Sequence, residues 1–131
     1  MELKTSAAGG GEFCLVLTPS LEAAGRASEA IRQRFTILAA ETRSNLAAVV
    51  AELVQNSVDH RPGRPITVTV ALGADAIRGE VADHSNPAVS PPVANGLAGQ
   101  RSGHALLDRL TSRWAVHQGT TDVWFEIPLR G

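Results

Sequence analysis

Between Glu41 and His60, apolar residues recur at helical spacing. Leu46, Val49, Val50, Leu53 and Val54 form one stripe, and Ser57 continues it. A 3.6-residue period over that length predicts an amphipathic helix. Pro62-Gly63-Arg64-Pro65 ends it, because proline cannot continue the hydrogen-bond ladder. Downstream the period changes to two. Ile66–Leu72 (ITVTVAL) and Ala76–Ala82 (AIRGEVA) alternate apolar with other residues around Gly73-Ala74-Asp75, which predicts two half-buried strands joined as a hairpin. Upstream, Glu12–Leu17 reads as a strand broken by Thr18-Pro19-Ser20. Ser20 is placed to cap a helix over 21–35 whose core stripe is Ala24, Ala27, Ile31 and Phe35. Thr36 to Ala40 is an ambiguous connection.

Asp83-His84-Ser85-Asn86-Pro87 closes the second hairpin strand. Ala88 to Ser102 then carries prolines at 91 and 92 and glycines at 96 and 99. A stretch of about fifteen residues without periodicity is either a lid or binding loop or a plain connection. Helical spacing resumes over 103–112 through Leu106, Leu107 and Leu110. Two strands follow, over 113–117 and 121–129, around a Gln118-Gly119-Thr120 turn. The second puts Val123, Phe125 and Ile127 on one face and Trp124 and Glu126 on the other.

The order strand, helix, helix, strand, strand, loop, helix, strand, strand predicts an α+β two-layer sandwich. Its sheet is expected to be mixed but mostly antiparallel, with the helices packed on one face. Residues 1–11 are small, polar and glycine-rich and read as a flexible tail, leaving 12–131 as a single domain.

Composition narrows the classes. The 131 residues are 44% hydrophobic and 19% charged, with a net charge of −1. That balance is globular, and it offers no basic field for direct nucleic-acid binding. Tyr is absent, so the core must be mainly Ala, Val, Leu and Ile. The single cysteine, Cys14, excludes an internal disulfide and, inside an apolar run, reads as a small buried hydrophobe. No apolar run approaches the ~20 residues of a membrane span, and no signal peptide is visible, so a cytoplasmic protein without membrane contact is expected. Lys4 is the one lysine, and no GxxxxGK[ST] phosphate loop occurs.

Candidate chemistry sits on the long helix. Glu52, Asn56 and His60 are spaced four apart and line up in a row that flanks the apolar stripe. By spacing alone such a row is either an ordinary solvated face or the rim of a pocket.

Three motifs in order, ELVQNSVDH, EVADHSNP at a strand end and GHALLDRL after a loop, resemble the GHKL (Bergerat-fold) ATP-binding domain. The similarity runs from the Phe13 strand to the final WFEIPL strand and is closest to the single-domain branch of anti-sigma-factor serine kinases and small bacterial ATP-binding regulatory proteins. The resemblance implies ATP or ADP with Mg²⁺ as cofactors. Asn56 would coordinate the metal, which bridges the phosphates, and Glu52 would be the general base toward a serine hydroxyl or water. His60 receives no chemical role. Asp83 matches the strand-end carboxylate that accepts from the adenine amino group, with Ser85 where the family has glycine. The run Arg101-Ser102-Gly103-His104 matches the second glycine box, keeping one glycine, Gly103; Arg101, Gly103 and His104 would meet the phosphates.

The resemblance further implies a serine/threonine kinase acting by partner switching on a sigma factor and an antagonist protein, and possible homodimerisation through exposed strand edges. The alternative is a non-catalytic nucleotide-binding module that controls a partner by occupancy. The catalytic half of a two-component histidine kinase is a third reading, and it would require a separate chain to carry the phosphoacceptor histidine.

Overall fold

The structure, a computed structural model, describes residues 2–5, 12–60, 65–83, 102–116 and 122–129. Its elements are β1 (Glu2–Thr5), β2 (Glu12–Leu17), α1 (Ala23–Arg34), α2 (Ala40–His60), β3 (Ile66–Leu72), β4 (Ala76–Ala82), α3 (Ser102–Leu110), β5 (Arg113–Val116) and β6 (Val123–Pro128). The strands form one six-stranded open sheet in the order β1-β2-β3-β4-β6-β5. Every pair in it is antiparallel. The expected mixed sheet is therefore corrected to an antiparallel one. The hydrogen-bonded neighbours β1–β2, β2–β3, β3–β4, β4–β6 and β5–β6 are each antiparallel, while β4 and β5 run in the same direction with β6 between them.

One face of the sheet is covered. Phe13, Leu15 and Leu17 of β2, Ile66, Val68 and Val70 of β3, Ile77 and Val81 of β4, and Phe125 and Ile127 of β6 are buried in one cluster with residues of all three helices. Strand side chains alternate in direction, so the intervening residues face outward. The result is the α+β two-layer sandwich, with its helices on one face. No helix among the described residues is long and apolar enough to cross a membrane.

The stripe read on α2 is the stripe that is buried: Leu46, Val49, Val50, Leu53, Val54 and Ser57 are each at most 9% exposed. On α1 the buried residues are Ala23, Ala27 and Ile31, followed by Phe35, whose ring meets Phe13 edge-on at 5.5 Å. Ala24 is only half-buried. Ser20 does not cap α1 as expected. Its Oγ accepts from the Glu22 N–H (3.3 Å) inside a preceding turn, and the helix begins at Ala23. Arg43 ties the α1–α2 connection by donating from Nη1 to the carbonyls of Thr36 (3.3 Å) and Leu38 (3.1 Å).

Two further expectations change. Glu2–Thr5, read as part of a frayed tail, is the edge strand β1, with Lys4 opposite Cys14. Cys14 is half-buried on the outward face of β2, where it is opposite Thr69. In an unbroken apolar run, periodicity cannot say which face a residue takes. The loop over 88–102 is outside the described residues except for Ser102, which opens α3.

Candidate functional site

Topology brings three termini to one end of the sandwich. α2 ends at His60, and the chain enters β3 at Ile66, so the C-terminal turns of α2 lie at the end where β3 begins. β3 pairs antiparallel with β4, with Thr67 opposite Ala82, so β4 finishes at that same end. β5 begins at the opposite end, where Arg113 is opposite Glu126 and Glu126 opposite Arg78. Only Thr111 and Ser112 separate α3 from β5, and α3 packs on β5 and α2. The N-terminal turn of α3 therefore points back toward the end where β4 finishes.

Asp83 stands just past β4, in phase with Ile77, Gly79 and Val81, and so on the helix-covered side. It is 2% exposed. Burying a carboxylate is costly without hydrogen bonds or a counter-charge, so its place is a strong constraint on what surrounds it. α2 packs over β3 and β4, and Glu52 and Asn56 are half-buried beside its buried stripe. Four helical residues rise ~6 Å, so the two side chains are one turn apart on one row. Both are of intermediate exposure.

Ser57 was assigned only as a continuation of the apolar stripe. It is 9% exposed and, with Asp83, makes up the buried polar side chains among the described residues. A serine inside an otherwise aliphatic stripe, next to Asn56, was the available signal. Of the remaining candidates, Gly103 lies in the first turn of α3. Ser85, Arg101 and the side chains of His60 and His104 lie outside the described residues.

The set is one of oxygen donors: the Asn56 carboxamide, two carboxylates and the Ser57 hydroxyl. Such donors suit a hard divalent cation that keeps several waters and phosphate oxygens. Among the described residues no group of three His, Cys, Asp or Glu side chains is arranged to hold a metal. A cation here would take Asn56 as its protein ligand and the rest of its shell from water and phosphate.

Two other features contrast with this end. A hollow of about 770 Å³ lies over the exposed side of α1, lined by Leu21, Glu22, Gly25, Arg26 and Glu29 among others. None of the candidate residues reaches it, and its walls are a single solvated helix face, so the buried carboxylate end is the better site. Among the described residues an electrostatic cluster lies on the outer sheet face. Arg113 Nε and Nη2 donate to the two Glu126 carboxylate oxygens, each at 3.1 Å, and Arg78 Nη2 stands 3.4 Å from Oε2. Both guanidinium groups lie over the Trp124 ring, at 5.3 and 5.6 Å. The Arg113 hydrogen bond, aided by the charges of both arginines, holds the Glu126 carboxyl below the usual carboxylate range against its partial desolvation. This cluster ties β4, β5 and β6 together and faces away from Asp83.

The fold and site thus define an α+β sandwich with a polar, oxygen-rich end. No protein-family model matches the chain, and no curated protein matches its sequence.

Proposed function

We propose that this chain has the GHKL (Bergerat-fold) architecture and is an ATP·Mg-binding regulatory protein, working as a serine/threonine kinase of the anti-sigma-factor type by partner switching. One observation carries the reading: a carboxylate 2% exposed at the end of β4, on the helix side, at the end of the sandwich shared with the C-terminal half of α2 and the first turn of α3. An acceptor fixed in a dry site selects a base that presents an amino donor, as adenine does, and rejects guanine, which presents an oxygen there.

In this reading Asp83 binds the base, Asn56 holds the Mg²⁺, and the N–H groups of the first turn of α3 receive phosphate oxygens. Bound Mg²⁺ supplies neutralisation of charge on the phosphates. Glu52 takes the proton from the attacking serine Oγ as the Oγ–P bond forms. The bond from the γ-phosphorus to the bridging oxygen breaks, and ADP leaves with that oxygen's electron pair. The partners under this reading are a sigma factor and an antagonist protein carrying the serine, in the cytoplasm.

Ser85 and Arg101-Ser102, where the family pattern has glycines, favour a second reading: a module that binds nucleotide without transfer and controls its partner by occupancy. Calorimetric titration with ADP and a non-hydrolysable ATP analogue, with and without Mg²⁺, tests the shared part. Binding that needs both Mg²⁺ and Asp83 supports the pocket. Absence of binding at millimolar nucleotide refutes both readings. Transfer of labelled γ-phosphate to a serine protein, abolished in Glu52→Ala with nucleotide still bound, separates kinase from module.

A further inference from the structure

α3 is held from its far end. Among the described residues its fully buried side chain is Leu107, with Leu110 packed against the same core. The Thr111 hydroxyl donates to the Leu107 carbonyl at 2.6 Å and closes the last turn. The Ser112 N–H and hydroxyl both donate to the Glu126 carbonyl of β6, at 2.8 and 3.1 Å, and fix the entry into β5. Asp108 is exposed on the helix, yet its Oδ1 accepts the indole N–H of Trp114 at 2.7 Å. Trp114 belongs to β5, opposite Phe125 on the covered face, and packs partly buried against the core beneath α3. That bond joins helix to sheet and sets the angle at which α3 leaves β5.

We infer that Trp114 and Asp108 are positioning residues for the phosphate end of the nucleotide site. The inference rests on the ATP-binding reading above and adds to it a residue pair that no motif assigned. The physical argument is a lever. Asp108 stands six residues from Ser102, so at 1.5 Å per residue the first turn of α3 is ~9 Å from the anchor. A tilt of ~10° about that anchor displaces the N-terminal N–H groups by roughly 1.5 Å, which is enough to spoil hydrogen bonds that need 2.7–3.2 Å. The base end does not share the lever, because Asp83 is carried by β4 and Asn56 by α2. Loss of the Trp114–Asp108 bond therefore weakens phosphate binding selectively.

The test is calorimetric titration of adenosine, ADP and an ATP analogue with Mg²⁺ against the full chain and four variants: Trp114→Phe, Asp108→Ala, Asp108→Asn and the Trp114→Phe/Asp108→Ala pair. Trp114→Phe keeps the ring packing and removes the donor, while Asp108→Asn keeps a carbonyl acceptor. The expected result is ADP and ATP-analogue affinity about tenfold lower in Trp114→Phe and Asp108→Ala, since an ångström of misplacement costs at least that at a preorganised site. Adenosine affinity stays within about twofold, Asp108→Asn binds like the wild type, and the double variant is no worse than either single one. A merely structural role lowers the melting temperature without splitting adenosine from ADP. Equal losses for adenosine and ADP, or wild-type ADP binding in both Trp114→Phe and Asp108→Ala, overturn the inference and leave the ATP-binding reading standing. A wild-type chain that binds neither adenosine nor ADP refutes the reading itself, and this inference with it.

Discussion

Gly79 offers the sharpest test of the packing that positions the site. It lies in β4 between Ile77 and Val81 on the buried side, directly opposite Phe125 of β6. A Cβ at Gly79 would overlap the far edge of the Phe125 ring, and that ring is fully buried. In an unconstrained strand, Gly→Ala stabilises by ~0.5–1 kcal/mol, because glycine loses more conformational freedom on folding. Here the ring occupies the space, and inserting a methyl into a close-packed core costs ~1–3 kcal/mol. The clash dominates, and Gly79→Ala should be destabilised by about 1–2 kcal/mol, which for a domain of this size lowers Tm by roughly 4–8 °C. Urea denaturation should show the midpoint falling at unchanged slope. The same methyl should be tolerated when the ring is reduced. In Gly79→Ala/Phe125→Leu the cost should fall short of the sum of the single variants by more than ~0.5 kcal/mol, the size of coupling seen for residues in contact. A Gly79→Ala protein as stable as the wild type, or strictly additive costs, would refute the argument.

Asp83→Asn should retain the fold by circular dichroism while ADP affinity falls at least ~tenfold, because a hydrogen bond to a charged acceptor is worth about 1.5–3 kcal/mol; wild-type affinity in this variant would remove Asp83 from the base pocket. Glu52→Gln should slow phosphotransfer by ~10²–10⁴ with nucleotide affinity unchanged, the range for loss of a general base, and undiminished transfer would exclude Glu52 from that role. The Glu126 carboxyl, held low by its Arg113 hydrogen bond, contributes stability that is fully present above the ordinary carboxyl pKa, about 4.3, and is lost as pH falls through the lower folded value. Urea midpoints of wild type and Glu126→Gln should therefore differ at pH 7 and converge in strong acid; a difference that grew on acidification would contradict the sign.

Where the sequence alternated clearly, it was read to the residue: β3 and β4 have the bounds expected from ITVTVAL and AIRGEVA. α2 was equally plain, because a stripe of Leu and Val over several turns has one helical solution. What escaped was non-local. ELKT has no strand signal of its own, and β1 exists because β2 offers it an edge. The pairing of β4 with β6, which places Phe125 over Gly79, depends on a register that no local window encodes. The candidate site divided the same way. Glu52, Asn56 and Asp83 were legible as motif positions, whereas the burial of Ser57 and the Trp114–Asp108 bond are products of tertiary packing.

The Arg78–Arg113–Glu126 cluster and Asp83 lie on opposite sides of the sheet and differ in burial. Arg113 hydrogen-bonds Glu126 and Arg78 pairs with it beside Trp124, but both arginine side chains are 62% exposed, and ion pairs in that setting contribute little. They cost little to keep and are explained by tying three strands together. Asp83 is the reverse case. At 2% exposure the desolvation of its carboxylate is costly and has to be offset by the interactions it makes. Under the proposed ATP-binding reading, its position in phase with the buried row of β4 and at the end shared with the last turns of α2 is where the base would be held. Glu52 extends the argument from binding to transfer. In that reading Asp83 would hold the base and Asn56 the metal-bound phosphate, and neither task calls for a carboxylate one turn from Asn56. Glu52 would supply the proton acceptor that transfer needs, and for that reason the kinase reading is proposed ahead of the binding module.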